Sequence, residues 1–315
     1  MRELDSPPSD TISRVRFSPT SPNLLLASSW DNSVRIYDIE SSTIKNHYVH
    51  NGAVLDCCYG HDLYVASGGL DKKLLIYHTE HNSITELGSH EGPISCVDYS
   101  PSSAVYATGS WDKSVKLWDA RSSSCASTMV TTGKVYAMGI IDTTLIVGLS
   151  GRTLSFFDLR NFGPLRHIES PLKYQLRSIG TSQSSKLYGI GSIEGRVCID
   201  SLDETNRFAF KCHRKKSDQK TFVYPVNSIA FHPVHPTSFA TGGSDGVVSL
   251  WDGAARSKRK TYTGFRNPVS CVDFSCDGKS LAIASSYNFE EGERKSQADA
   301  IYVQDIVVDS LAPKG

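Results

Sequence analysis

Gly109-Ser-Trp-Asp-Lys-Ser-Val-Lys-Leu-Trp-Asp119 decides the fold of this chain. Its Gly, Ser and Asp residues punctuate a tight turn. The alternation of Val115 and Leu117 that follows, closed by Trp118-Asp119, reads as a strand with one buried face. The stretch also holds two tryptophans in different settings. Trp118 closes an apolar run, as Trp251 does in Val248-Ser-Leu-Trp-Asp252, whereas Trp111 stands in the turn, as Trp30 does in Ser28-Ser-Trp-Asp31.

Upstream of this stretch lies Ile94-Ser-Cys-Val-Asp-Tyr99, an alternating run ending in an aromatic residue. Similar runs are Ile12-Ser-Arg-Val-Arg-Phe17, Val54-Leu-Asp-Cys-Cys-Tyr59, Val226-Asn-Ser-Ile-Ala-Phe231 and Val269-Ser-Cys-Val-Asp-Phe274, with weaker copies from Val135 and Leu176, seven in all. Each is followed by a second run, a tight turn and a third run. The turns carry Asp31, Asp71, Asp112, Gly151, Glu194 and Asp245, at spacings of 40, 41, 39, 43 and 51 residues. A period of about 40 to 45 residues with short strands is that of a four-stranded propeller blade. The expected fold is all-β, a seven-bladed β-propeller occupying residues 1–315 as one domain, with insertions near 201–223 and 288–297. Arg2-Glu-Leu-Asp5 precedes the first copy and is expected to supply the outer strand of the last blade, which would leave no open sheet edge.

Composition excludes several classes. Lys and Arg number 33, as do Asp and Glu, so bulk charge does not favour nucleic acid, an anionic membrane or an acidic substrate. No apolar stretch approaches the roughly 18 to 20 residues of a membrane span, and Met1-Arg-Glu-Leu-Asp-Ser-Pro-Pro8 lacks the apolar core of a signal peptide, so a soluble intracellular protein is expected. The eight cysteines form no Cys-x-x-Cys pair and several fall within strand-like runs, which points to buried free thiols and no metal site. Phosphate-cradling loops, zinc-protease helices and nucleophile elbows are missing from the sequence, so no enzyme activity and no cofactor are expected.

Copies end in Trp-Asp or a decayed form of it: Tyr37-Asp38, Tyr77-His78, Trp118-Asp119, Phe157-Asp158 and Trp251-Asp252. On these residues the chain resembles the WD-repeat propellers. That resemblance implies a structural hydrogen-bonded chain of His90, Thr108, Asp112 and Trp118 in the third copy, and His50, Ser67 and Asp71 in the second, with Tyr77 in place of Trp. In the sixth copy Phe222 falls where the His would be, so an incomplete network is expected there.

If every turn Asp opens the third strand of its blade, Trp30 and Trp111 share one rim with Leu70, Ile193 and Ser244. They then read as a docking surface, or else as indoles folded over a neighbouring blade. Lys72, Lys113, Arg152 and Arg196 belong to the same rim, and Lys211-Cys-His-Arg-Lys-Lys216 leads into the sixth copy. Aromatic rings beside guanidinium groups suit a peptide bearing carboxylates or phosphate. Arg256-Ser-Lys-Arg-Lys260 is expected on the opposite rim.

A narrower resemblance rests on Ser28-Ser-Trp-Asp31, Gly52-Ala-Val-Leu-Asp56, Ser67-Gly-Gly-Leu-Asp71, Gly109–Asp119, Leu172-Lys-Tyr-Gln175, Ser192-Ile-Glu-Gly-Arg-Val197, Phe210-Lys-Cys-His-Arg214, Tyr224-Pro-Val-Asn227 and Ala284-Ser-Ser-Tyr287. In these strings the chain resembles the mitotic-checkpoint WD-repeat proteins of the budding-uninhibited-by-benzimidazole type. Their close relatives, the messenger-RNA-export WD-repeat proteins, share many of the strings. The resemblance implies a non-enzymatic spindle-assembly-checkpoint adaptor, monomeric within a larger complex. Such an adaptor binds the acidic GLEBS segment of checkpoint kinases and reads phosphorylated Met-Glu-Leu-Thr repeats of an outer-kinetochore scaffold. It would reside in the nucleus and at mitotic kinetochores, with a cytoplasmic pool compatible. The export reading replaces these partners with a nucleoporin GLEBS segment. Matched motif by motif, Trp30 and Trp111 would pack against the GLEBS segment and Arg196 would face its acidic side chains. Arg214 and Lys211 would contact phosphate, and Arg177 is a further candidate. One departure is Ser201, where the checkpoint pattern has an aromatic residue, which leaves the outer packing of the fifth blade open.

Overall fold

Alternating runs too short to bury a face alone must stack, and in the computed structural model they stack as seven four-stranded antiparallel sheets around a central channel. The structure describes residues 1–61, 63–119, 125–203, 205, 207–293 and 297–312; positions 294–296 of one expected insertion and 204 and 206 of the other lie outside them. The first blade runs Ile12–Phe17, Leu24–Ser29, Ser33–Asp38, Thr43–Val49 from channel to periphery, and the next five repeat the order. The seventh takes Val269–Phe274, Ser280–Ser285 and Ala300–Asp305 from the C-terminal side and Arg2–Glu3 from the N-terminal side. Leu4 N–H extends that pairing to the Ile301 carbonyl at 2.8 Å, and Arg266 holds Glu3 through two bonds of 2.8 Å.

Seven apolar clusters fill the spaces between neighbouring blades. The one joining the last blade to the first contains Leu4, Ile12, Val15, Tyr37, Ala284 and Ile301. Trp118 is 2% exposed, packed with Leu74, Leu87 and Tyr106 of the second and third blades. All eight cysteines are free thiols. Burial pushes Cys57 and Cys96 up to about 12, so they are neutral packing groups.

Polar side chains satisfy the turns. In the third blade His90 Nδ1 faces Asp112 at 3.1 Å and Nε2 faces the Thr108 hydroxyl at 2.7 Å, while Trp118 Nε1 donates to that hydroxyl at 2.8 Å. The second blade keeps His50 on Asp71 at 2.9 Å and on Ser67 at 2.8 Å. Tyr77 does not stand in for the tryptophan there: its hydroxyl donates to Asn82 at 2.5 Å, and Tyr48 reaches Ser67 instead, at 2.6 Å.

The expected gap in the sixth blade is corrected. His213 lies 2.8 Å from Asp245 and 2.9 Å from Thr241, and Trp251 donates to Thr241 at 2.9 Å, so the network is complete. Phe222 lies instead on a hairpin, Arg214–Ser217 paired with Lys220–Val223, inserted between the histidine and the inner strand. The preceding segment is the fifth blade's own outer strand, Phe208–Lys211. There Ser201 packs no ring; its hydroxyl accepts the Thr205 N–H at 3.1 Å and turns the chain.

One irregularity recurs in every blade. The pairing between the first and second strands slips after the first residue of the inner strand, skipping Ser13, Leu55, Ser95, Tyr136, Arg177, Asn227 and Ser270. Such a bulge re-aims the extra side chain out of the ladder. Three of these side chains also bond a backbone carbonyl of the next blade: Ser13 donates to Val54 O at 2.7 Å, Ser95 to Val135 O at 2.8 Å, and Asn227 to Val269 O at 2.9 Å.

Candidate functional site

Strand polarity fixes one rim. The second-to-third strand turns and the blade-to-blade connections lie at the same end of every sheet, the end where the inner strands begin and the bulges occur. Large apolar side chains are exposed on this rim: Leu70 in its turn at 45%, Trp111 at 37%, Tyr174 at 52% and Ile193 at 38%. An apolar set of this kind, interspersed with polar groups, has the composition of a protein interface rather than of a solvated face.

At its centre the seven bulge residues surround the channel mouth, a cavity of about 360 Å³ whose wall also includes Trp30, Trp111, Gln175 and Asn288. Arg14 forms part of the same wall, bound to Asp56 through Nε at 2.6 Å and Nη2 at 3.2 Å. Arg177 is one of the bulge residues. Its Nε donates to Asn227 Oδ1 at 3.2 Å, which steadies the guanidinium at the mouth, and Nη2 lies 3.8 Å from Glu290. Trp30 does not stand free, since Phe289 lies parallel to it, with centroids 6.1 Å apart and planes 7° off. Its ring is thus partly covered by a neighbouring blade, whereas Trp111 remains open.

A second group forms at the periphery of the fifth blade. Arg196 opens the third strand and pairs in register with Lys211 on the outer strand. Its Nε lies 2.9 Å from Glu194 Oε1. Arg214 reaches back to the same turn, with Nη2 donating to the Glu194 carbonyl at 2.8 Å. Glycine is required at 195, where φ is +62° and a Cβ would meet the Cys212 carbonyl at 2.6 Å, because the connection to the next blade crosses over the turn there. Two guanidinium groups therefore meet at the Glu194 turn, with Lys211 beside Arg196 in register on the outer strand.

The rim thus holds all six residues singled out in the sequence, but in two clusters. Trp30, Trp111 and Arg177 belong to the mouth; Arg196, Lys211 and Arg214 belong to the peripheral turn. Arg196 consequently groups with the phosphate candidates and Arg177 with the tryptophans. Sequence reasoning missed Phe289, Glu290, Asn227 and Tyr136. The last two occupy the second position of their repeats, the position that bulges in every blade, so lining up the seven copies could have found them. No such signal marks Phe289 and Glu290, which lie in an insertion.

The Asp-His pairs are tied into turn networks, and among the described residues no group of three or more His, Cys, Asp or Glu side chains could hold a metal ion. No helix among them is long and apolar enough to cross a membrane.

The model of the WD domain, G-beta repeat, matches residues 1–38, 81–119, 210–252 and 256–289. The chain is 42% identical to the mitotic checkpoint protein BUB3.1 of Arabidopsis thaliana, covering 99% of this chain and 95% of that protein. It is 38% identical to the mitotic checkpoint protein bub3 of Dictyostelium discoideum, covering 98% and 96%. Against the poly(A)+ RNA export protein of Schizosaccharomyces pombe it is 36% identical, covering 99% and 92%.

Proposed function

The chain belongs to the WD-repeat family of BUB3-type mitotic checkpoint proteins and their mRNA-export relatives, and on that footing we propose that it is a non-enzymatic spindle-checkpoint adaptor acting as one propeller. Its rim binds the acidic GLEBS segment of a checkpoint kinase at the channel mouth, through Trp30, Trp111 and Arg177. The peripheral cations Arg214, Lys211 and Arg196 take the phosphothreonine of a Met-Glu-Leu-Thr repeat of a kinetochore scaffold. The observation that carries this reading is the grouping of one open indole, one half-covered indole and one oriented guanidinium around a single mouth. Aromatic and Arg side chains are the commonest anchors of protein interfaces. The peripheral cluster fits a doubly charged, multidentate anion better than a single carboxylate, because Glu194 already offers one.

Calorimetry with a GLEBS peptide tests the mouth. Trp111→Ala should weaken binding by about 2 kcal/mol or more while leaving the melting temperature near the parent's; unchanged affinity removes the docking role. Arg214→Ala should erase the preference for a phosphorylated over an unphosphorylated Met-Glu-Leu-Thr peptide. In cells, the tagged protein should form kinetochore foci when microtubules are depolymerised, and it should be nuclear between divisions. Its likeness to the S. pombe export protein favours one second reading, an export adaptor for a nucleoporin GLEBS segment. Rim staining at nuclear pores without kinetochore foci would establish that one instead.

A further inference from the structure

The seventh blade differs from the others in the connection between its second and third strands, which spans residues 286–299 where the first blade needs only Trp30–Asn32. Within it, residues 288–290 fold inward. Asn288 lines the mouth, Phe289 lies parallel to Trp30 at 6.1 Å, and Glu290 lies 3.8 Å from Arg177. Its base is firmly held: Tyr287 is 4% exposed, and its hydroxyl accepts the Glu291 N–H at 3.0 Å and donates to the Gly292 carbonyl at 2.9 Å. Its tip is not. Phe289 remains 50% exposed, and the Glu290 contact is too long for a hydrogen bond.

We propose that Phe289-Glu290 is a tethered stand-in for the partner, an aromatic residue followed directly by a carboxylate that occupies Trp30 and Arg177 and must swing away before an acidic segment can dock. This rests on the reading of the mouth as an acidic-peptide site. It adds the ligand class: the incoming segment places a flat apolar side chain on Trp30 and, at the next position, a carboxylate on Arg177. Weak tip contacts on a strong base suit such a role, since a stacked pair and a half-exposed ion pair hold the strap without locking it. The population of closed strap reduces apparent affinity by the fraction of open mouth.

The test uses the full chain and a synthetic GLEBS peptide. Phe289→Ala combined with Glu290→Ala should bind the peptide roughly three- to tenfold more tightly, and Glu290→Gln alone should give a smaller gain in the same direction. In the free protein carrying Trp111→Phe, removing Phe289 should increase acrylamide quenching of indole emission, because Trp30 loses its cover. A peptide Asn-Phe-Glu-Glu-Gly should compete with the GLEBS peptide for the double variant. Peptide affinity unchanged or weakened in the double variant, against measurable binding by the parent, overturns the strap and leaves the mouth as the docking site. Failure of parent and variant alike to bind overturns the reading of the mouth, and the strap with it.

Discussion

His213 contacts Asp245 at 2.8 Å across a hairpin that separates the histidine from its own blade. The contact shows that the sixth blade keeps a full turn network even though its histidine stands nine residues earlier than repeat spacing suggests. His213→Ala would take one partner from Asp245 and one from the Thr241 hydroxyl, which keeps only Trp251, at about 1–3 kcal/mol for a polar group left unsatisfied. Phe222→Ala, at a half-exposed position, should stay within about 0.5 kcal/mol of the parent. Urea unfolding of the two variants checks this, and an equal loss in both would place the network elsewhere.

Acid should loosen the third blade in two stages. Burial holds the His90 imidazolium below its ordinary value of 6.5, with the Asp112 charge opposing that shift and Lys116 adding to it. The unfolded chain therefore binds more protons than the native one in this window, so the contribution is intact above 6.5 and declines as pH falls toward the lowered native value. Burial also opposes the Asp112 charge, yet the Ser114 hydroxyl and His90 outweigh it and hold the carboxyl below 3.8. Its contribution is present above 3.8 and is lost as pH falls through the lower native value. His232, likewise lowered by burial, adds a background of the same sign. Stability measured from pH 7.5 to 2.5 should fall, and in His90→Asn the upper part of the slope should shrink; an unchanged slope would assign it to other groups.

The repeat was legible because blade geometry imposes it at every copy. Apolar alternation marked the strands, and Asp and Gly marked the turns, so the seven blades and their common rim followed from spacing alone. What escaped was whatever the repeat does not encode. The hairpin at Arg214–Val223 shifts the histidine out of phase, and only the contact with Asp245 reveals which residue fills the role. The seven bulges were visible as second positions of the copies, but a skipped residue in a ladder has no composition of its own: Ser, Leu, Ser, Tyr, Arg, Asn and Ser occupy it. Nothing in that composition marked Arg177 as a residue of the mouth, although its bulge turns it there.

Ring closure depends on a very short strand. Ladder pairing with the third strand of the seventh blade is confined to Arg2 and Glu3, extended by the Leu4 N–H, so Leu4, 1% exposed between the first and last blades, carries much of the hold. Leu4→Ala should cost about 2–5 kcal/mol, as buried leucines do. Glu3→Gln, which breaks the exposed pair with Arg266, should cost at most about 1 kcal/mol. Thermal unfolding of both variants, with light scattering to detect the freed sheet edge, tests the assignment. A Leu4→Ala protein as stable as the parent would mean that the ring stays closed without this anchor.

Below the mouth the channel carries more negative than positive groups. Asp56, Asp98 and Asp273 face Arg14 and Arg16, and Asp56 is already committed to Arg14. Desolvation by the channel wall raises the Asp98 carboxyl above 3.8, with the Asp56 charge adding to the rise and Arg16 and Arg14 opposing it. A raised carboxyl binds more protons in the native state, so ionising it costs stability as pH climbs through the native value, and the cost persists at neutrality. Asp98→Asn removes that cost while keeping an acceptor for the Tyr99 N–H, which Asp98 binds at 3.1 Å. The variant should therefore melt higher than the parent at pH 7, by a margin that narrows toward pH 4. If instead it melts lower at pH 7, Arg16 needs the Asp98 charge more than the channel resists it, and the pairing rather than the excess of carboxylates governs the stability of the wall.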